Sequence, residues 1–361
     1  KAPEKLTNKD VGISVRELQK AINIIFKAIK NKELIVVYGD YDCDGICATA
    51  ILWETLYALG AKAMPYIPDR VEDGYGLSVS GLDKLKKAMT QAKLIITVDH
   101  GIVAVEQTQY ANKLGLDVII TDHHTTGSKL PKALAIVHTT KLSGSGVSWF
   151  LSQQLLESDS HRLSSIDNQP STNTTLDLAA LGTIADMVPL TKANRSIAKH
   201  GLEAINNTKR IGLLALINEA GIIKDKIGTY EIGFILAPRL NALGRIDNAM
   251  DALRLLCTKD KAKAEKLANR LNLINLERQK LTEETTLHAK NNTKLTTHNK
   301  KLIFISNETY NQGVIGLAAG RLVEEFYRPA IVVSKGRVFS KASARSISGF
   351  NIVEAIRSCA E

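Results

Sequence analysis

The sequence predicts an α/β fold: a mainly parallel sheet, then a helical connector, then a second, smaller α/β domain. Three observations predict it. Short apolar runs rich in β-branched residues alternate with helical stretches through the first 140 positions, as βαβ units require. Three of those runs stop at aspartate or histidine. From about Lys192 to Lys290 the apolar residues fall mainly at helical spacing, and strand-like runs then return.

Taken in order, Ser14-x-x-Glu17 reads as a capping box, and Val15, Leu18, Ile22, Ile25 and Ile29 follow at helical spacing, so 14–30 is an amphipathic helix. The runs Leu34–Tyr38, Ala63–Ile67, Leu94–Val98, Asp117–Thr121 and Ala135–His138 are strands, with helices at Ile46–Leu59 and Val105–Leu114 between them. Residues 157–177 are polar and turn-rich and read as a loop. Helical patterns resume from Leu176 through Val188 and end in a long helix carrying Leu267, Leu271, Ile274 and Leu281. Asn291–Lys301 reads as a linker, followed by a strand at Leu302–Ser306, a helix near Val314–Tyr327 and a strand at Ala330–Ser334. The domains expected are 1–32, 33–191, 192–300 and 301–361.

With 361 residues, 44% of them hydrophobic, the chain can bury a core, which excludes disordered and fibrous classes. No run approaches the ~18 apolar residues of a membrane span, and the start lacks a signal peptide, so no membrane partner is expected. Position 1 is Lys rather than Met, which fits a start inside a longer reading frame. Four cysteines without C-x-x-C spacing suit a reducing compartment, the cytoplasm. The net charge of +10 is uneven. Residues 1–190 hold 19 basic against 21 acidic side chains, the remainder 28 against 16. Such asymmetry fits an enzyme that tracks a polyanion with one part and holds cations with the other, though a solvated lysine-rich surface is the plainer alternative.

The first strand runs directly into Asp40, Asp42 and Asp44. On an extended strand end, alternate aspartates point the same way and can converge on hard cations. An EF-hand lacks its closing glutamate here; turn-forming and helix-capping aspartates are the other alternative. The third strand ends in Asp99-His100, the fourth in Asp122-His123-His124, and Asp186 is embedded in an apolar segment. Groups on neighbouring strand ends share one rim of a parallel sheet, where ligands gather. A buried acid calls for a metal or a hydrogen-bonding partner. Carboxylates with imidazole suit Mn²⁺ or Mg²⁺.

Seven segments in order, Tyr38–Ile46, Pro68–Ser78, Thr97–Ile102, Thr121–Thr125, Ala180–Thr191, Pro238–Asn248 and Lys341–Ile352, make the chain resemble the DHH phosphoesterase superfamily, and within it the RecJ-type single-strand-specific 5′→3′ DNA exonucleases of repair and recombination. The resemblance implies a DHH catalytic domain at 33–191 and a partial DHH-associated substrate-binding domain at 301–361. It also implies two divalent cations, Mn²⁺ or Mg²⁺. Asp42 and Asp44 would ligate one each, Asp99 would bridge them, and His123 and Asp186 would complete the shell. Asp122 would orient a histidine, and His124 would sit near the scissile phosphate. Tyr38 stands where some relatives carry His, and His100 where relatives often have Cys or Asn.

Phosphate contacts come from arginine, lysine, small hydroxyls and backbone N–H groups. Arg239, Asn241 and Arg245 supply such chemistry in one segment, Ser343, Arg345 and Ser346 in another, and Arg70 beside the first motif. Aromatics make up 5% of the chain, so a long stacking platform is not expected, although Tyr75 or Phe350 could stack a base. The expected substrate is single-stranded DNA, with a helicase and a single-strand-binding protein as possible partners. A short-oligonucleotide or cyclic-dinucleotide phosphodiesterase is the alternative within the superfamily, and a non-catalytic replication scaffold the alternative outside it. The family's Gly-Gly-His segment does not occur between Ile352 and Glu361, so the second domain reads as truncated, with an open sheet edge.

Overall fold

The computed structural model describes residues 1–70, 72–159, 175–296 and 301–359. Two compact units divide them: residues 1–244 with 248–272, and 245–247 with 273 to the C-terminus.

In the first unit, α1 (Val15–Lys30) leads into β1 (Leu34–Tyr38), α2 (Cys43–Ala58), β2 (Lys62–Tyr66), α3 (Val79–Ala88), β3 (Ala92–Val98), α4 (Val105–Lys113), β4 (Asp117–Asp122) and β5 (Ala135–His138). All five strands are parallel, in the order β2-β1-β3-β4-β5. Because β1, β3 and β4 are neighbours running the same way, their carboxyl ends lie side by side. Their continuous apolar composition follows from burial on both faces. On one face Val36, Ile95, Val118 and Ile120 pack with Leu82, Leu85 and Ala111 of α3 and α4. On the other side α2 packs against α5 (Gly144–Asp159) and α6 (Leu176–Ala185), and α6 against α7 (Lys192–Asn206). The unit continues through α8 (Ile211–Glu219), a π-helical stretch at Glu231–Leu236, α9 (Ala237–Ile246) and α10 (Met250–Cys257).

The helix α11 (Lys261–Thr296) leads into the second unit, where β6 (Ile303–Asn307), α12 (Ile315–Phe326), β7 (Ala330–Ser334), β8 (Lys341–Arg345) and α13 (Ile352–Arg357) follow. Here β6 and β7 are parallel, and β8 is antiparallel to β7. Ile303, Ile305, Ala319, Leu322 and Val332 form its core with Ala289 of α11.

Several expectations change. Ser14 caps α1 through Glu17 N, but the Glu17 carboxylate accepts from Ile136 N at 3.0 Å rather than closing a box. It ties α1 to β5 instead. The expected linker begins as helix, α11 continuing through Thr296, and 297–300 lie outside the described residues. The expected loop at 157–177 is helical to Asp159 and again from Leu176, its residues 160–174 lying outside the described set. Lys341–Arg345, which carries Ser343 and Arg345, is a strand that periodicity did not mark. Among the described residues no helix is long and apolar enough to cross a membrane.

Candidate metal centre

The aspartates after β1 are not on an extended strand. β1 stops at Tyr38, Asp42 is the N-cap of α2 with its Oδ1 accepting from Gly45 N at 2.9 Å, and Asp44 lies in the first helical turn. The capping alternative therefore holds for Asp42, the same residue that the resemblance offers as a metal ligand. A helix N-terminus brings the carboxylates together, and its dipole favours their charge.

Asp99 follows β3 in the left-handed region, at φ 67°, a strained backbone of the kind that concentrates at functional sites. Its N–H donates to Thr121 O, which ties it to the end of β4. There Asp122 Oδ1 accepts from the backbone of His123 and His124 and lies 2.8 Å from His124 Nδ1, while Oδ2 accepts from Ile102 N. Asp186 is the C-cap of α6, partly exposed rather than embedded.

These elements place Asp40, Asp42 and Asp99 with carboxylate oxygens within 4.8 Å of one another, and Asp44, His123 and Asp186 likewise. The two groups meet where His123 Nε2 lies 3.1 Å from Asp99 Oδ1. Asp99, His123 and His124 make a third such set. Asp40, the first of the alternating aspartates, is thus part of the cluster although the family pattern did not assign it a role. His100 belongs to none of these sets, and its Nε2 lies 3.0 Å from Tyr38 O.

A third layer comes from a part of the sequence that carried no signal beyond Ser143-Gly144-Ser145-Gly146. The N-terminus of α5 donates Gly144 N to Asp44 Oδ2 at 2.6 Å and Ser145 N to Oδ1 at 3.0 Å. Only glycine fits at two positions here. A Cβ on Gly144 would stand 2.2 Å from Asp99 Oδ1, and one on Gly182 would stand 2.5 Å from Asp44 Oδ1.

The residues fit divalent cations. Asp99 Oδ1 and His123 Nε2 are buried without a hydrogen-bond partner among the described residues. Burial and the neighbouring Asp42 push the Asp40 carboxyl well up, and burial with Asp44 does the same to Asp99. Asp186 is pushed up to about 8 by burial and then by Asp44 and Asp42. So many crowded carboxylates demand cations, and oxygen-rich ligands with imidazole favour Mn²⁺ or Mg²⁺. Asp122 differs: burial raises it, but the His124 ring and the Ile102 and His124 N–H groups outweigh burial and hold it at about 2. In return, Asp122 pushes the His124 imidazole up.

Beside the centre, Arg70 stacks over the Tyr41 ring at 5.0 Å, Tyr41 meets Tyr75 edge-on, and Tyr75 meets His124 edge-on with its hydroxyl 3.5 Å from Nε2. Asn241 Oδ1 accepts from Cys43 N at 2.6 Å, so it steadies the turn between Asp42 and Asp44. Arg239 is turned onto Ile235 O and Asn272 Oδ1. In the second unit Arg245 donates to Gly313 O, Arg345 to Ala344 O, and Ser346 to Phe350 O. Ser343 lies on β8 beside Gly316, where an added Cβ would meet its Oγ at 2.9 Å.

Residues 34–183 match the DHH family, N-terminal domain. A solved chain described as exonuclease RecJ bound to manganese is 35% identical and superposes with a TM-score of 0.81, over 94% of this chain and 85% of that one. The chain belongs to the RecJ family. Its curated relatives include the single-stranded-DNA-specific exonuclease RecJ of Bacillus subtilis, 41% identical over 96% of this chain and 44% of that protein. That of Thermus thermophilus is 35% identical over 96% and 50%. The chain spans about half the length of the curated relatives it matches. A Thermus thermophilus RecJ structure in complex with Mn²⁺ also has a TM-score of 0.81, at 34% identity, over 95% of this chain and 49% of that one.

Proposed function

We propose that the chain is a two-metal-dependent exonuclease that hydrolyses phosphodiester bonds of single-stranded DNA from the 5′ end, in repair and recombination. The observation that carries this reading is the pair of candidate ligand groups, Asp40/Asp42/Asp99 and Asp44/His123/Asp186, meeting on one sheet rim where Asp99 Oδ1 and His123 Nε2, buried and 3.1 Å apart, make no hydrogen bond among the described residues. Divalent cations held there would activate a water and neutralise charge growing on the phosphoryl oxygens, without a protein nucleophile. Asp122, anionic above about pH 2, fixes His124 through Nδ1 and favours its cationic form, which suits a residue facing a phosphate. Arg70 and Tyr75 beside it would meet the terminal nucleotide, with Ser343, Arg345 and Ser346 as further backbone contacts. Catalysis is assigned to 33–191 and strand binding to 301–361, with 192–300 connecting them. A helicase and a single-strand-binding protein are the proposed partners, and the cytoplasm the proposed compartment.

The RecJ relatives named as single-stranded-DNA-specific exonucleases support this reading, as does the basic second half of the chain. The test is to incubate 5′- and 3′-labelled single strands, duplexes and dinucleotides with the protein and Mn²⁺. Progressive loss of single strands from the 5′ end is expected. Turnover of dinucleotides alone would replace the reading with a small-substrate phosphodiesterase, and no turnover of any substrate would favour a scaffold.

A further inference from the structure

Tyr230 and Phe234 stand 63% and 69% exposed at the entry to α9, their ring centroids 5.1 Å apart and their planes inclined by 28°. Ile232 and Leu236 bury the opposite side of this stretch and anchor it. The rings are therefore held on the surface by their own backbone. That backbone is π-helical over Glu231–Leu236, a conformation found mostly as single turns and often at functional sites. Between the rings in sequence lies Gly233, where an added Cβ would meet none of the described residues within 4 Å. Packing does not explain a glycine there, and in a helix it is less stable than alanine. The surface beside the pair is open to a flat ligand.

The position indicates which ligand. The same helical run continues through α9 to Asn241, which bonds the turn between Asp42 and Asp44. At the α-helical rise of 1.5 Å per residue, an upper bound across the π-helical turns, Phe234 and Tyr230 lie up to about 10 and 16 Å along the axis from Asn241. A stacked strand advances 3.4 Å per nucleotide, so this distance is about three to five nucleotides. Glu231, the acid between the rings, is turned back onto Gly228 N at 2.8 Å, and Lys224 and Lys226 are exposed in the loop before them.

We propose that Tyr230 and Phe234 form a base-stacking platform that grips single-stranded DNA about three to five nucleotides from the metal centre. The inference rests on the nuclease reading above. Every base offers a π-face, so such a platform holds the trailing strand without reading its sequence, while the phosphates stay free for cationic side chains. It supplies stacking outside the two positions, Tyr75 and Phe350, to which sequence alone pointed.

The test uses the Mn²⁺-loaded protein and phosphorothioate-linked single strands with one 2-aminopurine placed at successive positions from the 5′ end. Wild type is expected to quench that fluorescence most strongly at about the third to fifth nucleotides. Tyr230→Ala and Phe234→Ala should lose the quench and bind roughly 5- to 150-fold more weakly, and Phe234→Trp should keep both. Abasic sites at those nucleotides should weaken wild-type binding by the same factor, a readout that needs no variant, and should leave the binding of folded alanine variants unaffected. If wild type binds and degrades single strands but shows no position-dependent quench and no abasic effect, the platform is refuted and the nuclease reading stands. If wild type neither binds nor degrades them, both fall.

Discussion

Gly144→Ala tests how tightly the centre is built. The new Cβ would lie 2.2 Å from Asp99 Oδ1 and 2.5 Å from its Cγ, against about 3.5 Å for relaxed contact, so something must move by about 1 Å. Asp99 is held by its N–H on Thr121 O and by its left-handed backbone. The start of α5 is held by its two N–H groups on Asp44. Either relief displaces a proposed ligand, Asp99 or Asp44. Ligand distances tolerate about ±0.2 Å, so Mn²⁺ affinity should fall by at least the roughly 10- to 100-fold typical of disturbed supporting contacts. Overpacking should also lower stability by about 1–3 kcal/mol. Gly146→Ala is the control, since its Cβ would meet neighbours only at 3.3 Å and beyond and none of them is a ligand. Mn²⁺ titration followed by electron paramagnetic resonance, with thermal melts of the same samples, measures both effects. Wild-type Mn²⁺ affinity in Gly144→Ala would refute the reasoning.

Saturating Mn²⁺ should raise the melting temperature. At one hundred times its Kd a ligand adds about 2.7 kcal/mol, or roughly 5–10 °C for a unit of this size, and a scan with and without EDTA checks it. Asp177→Ala should lower stability by about 3 kcal/mol, because Arg210, only 12% exposed, is held between Asp177 and Glu54; Mn²⁺ affinity should stay at wild type, since Asp177 and Asp186 lie at opposite ends of α6. Log affinity for single strands should fall with log salt by about 0.7 per phosphate neutralised. Arg345→Ala should flatten that slope, whereas Arg239→Ala, its guanidinium already engaged by Ile235 O and Asn272 Oδ1, should lower the melting temperature instead.

The parallel strands and the shared sheet rim were legible because burial on both faces leaves continuous β-branched runs, and parallel neighbours carry their end residues to one side; the order of the strands in the sheet was not. Val36, Ile95 and Val118 are such residues. Convergence of the aspartates was legible, but not its cause, which is a helix N-terminus at Asp42 rather than strand alternation. Contacts distant in sequence left no local trace. Gly144 and Ser145 reach Asp44 across a hundred positions, and a Ser-Gly repeat does not say what it approaches. Asn241 was marked as a strand contact from its neighbours, yet its bond to Cys43 N spans 198 positions. Arg239 was marked by charge, and charge does not reveal that the side chain folds back on its own helix.

The central claim is that one buried cluster, joined through Asp99, holds two cations and performs the cleavage. Counting bound Mn²⁺ in wild type and Asp99→Ala, beside turnover and affinity for a labelled single strand, tests it most directly. Two ions and 5′ degradation are predicted for wild type. In Asp99→Ala, ion binding and turnover should be lost, while strand affinity stays within about tenfold because most strand contacts lie elsewhere. Two ions and near-normal hydrolysis in Asp99→Ala would contradict the account.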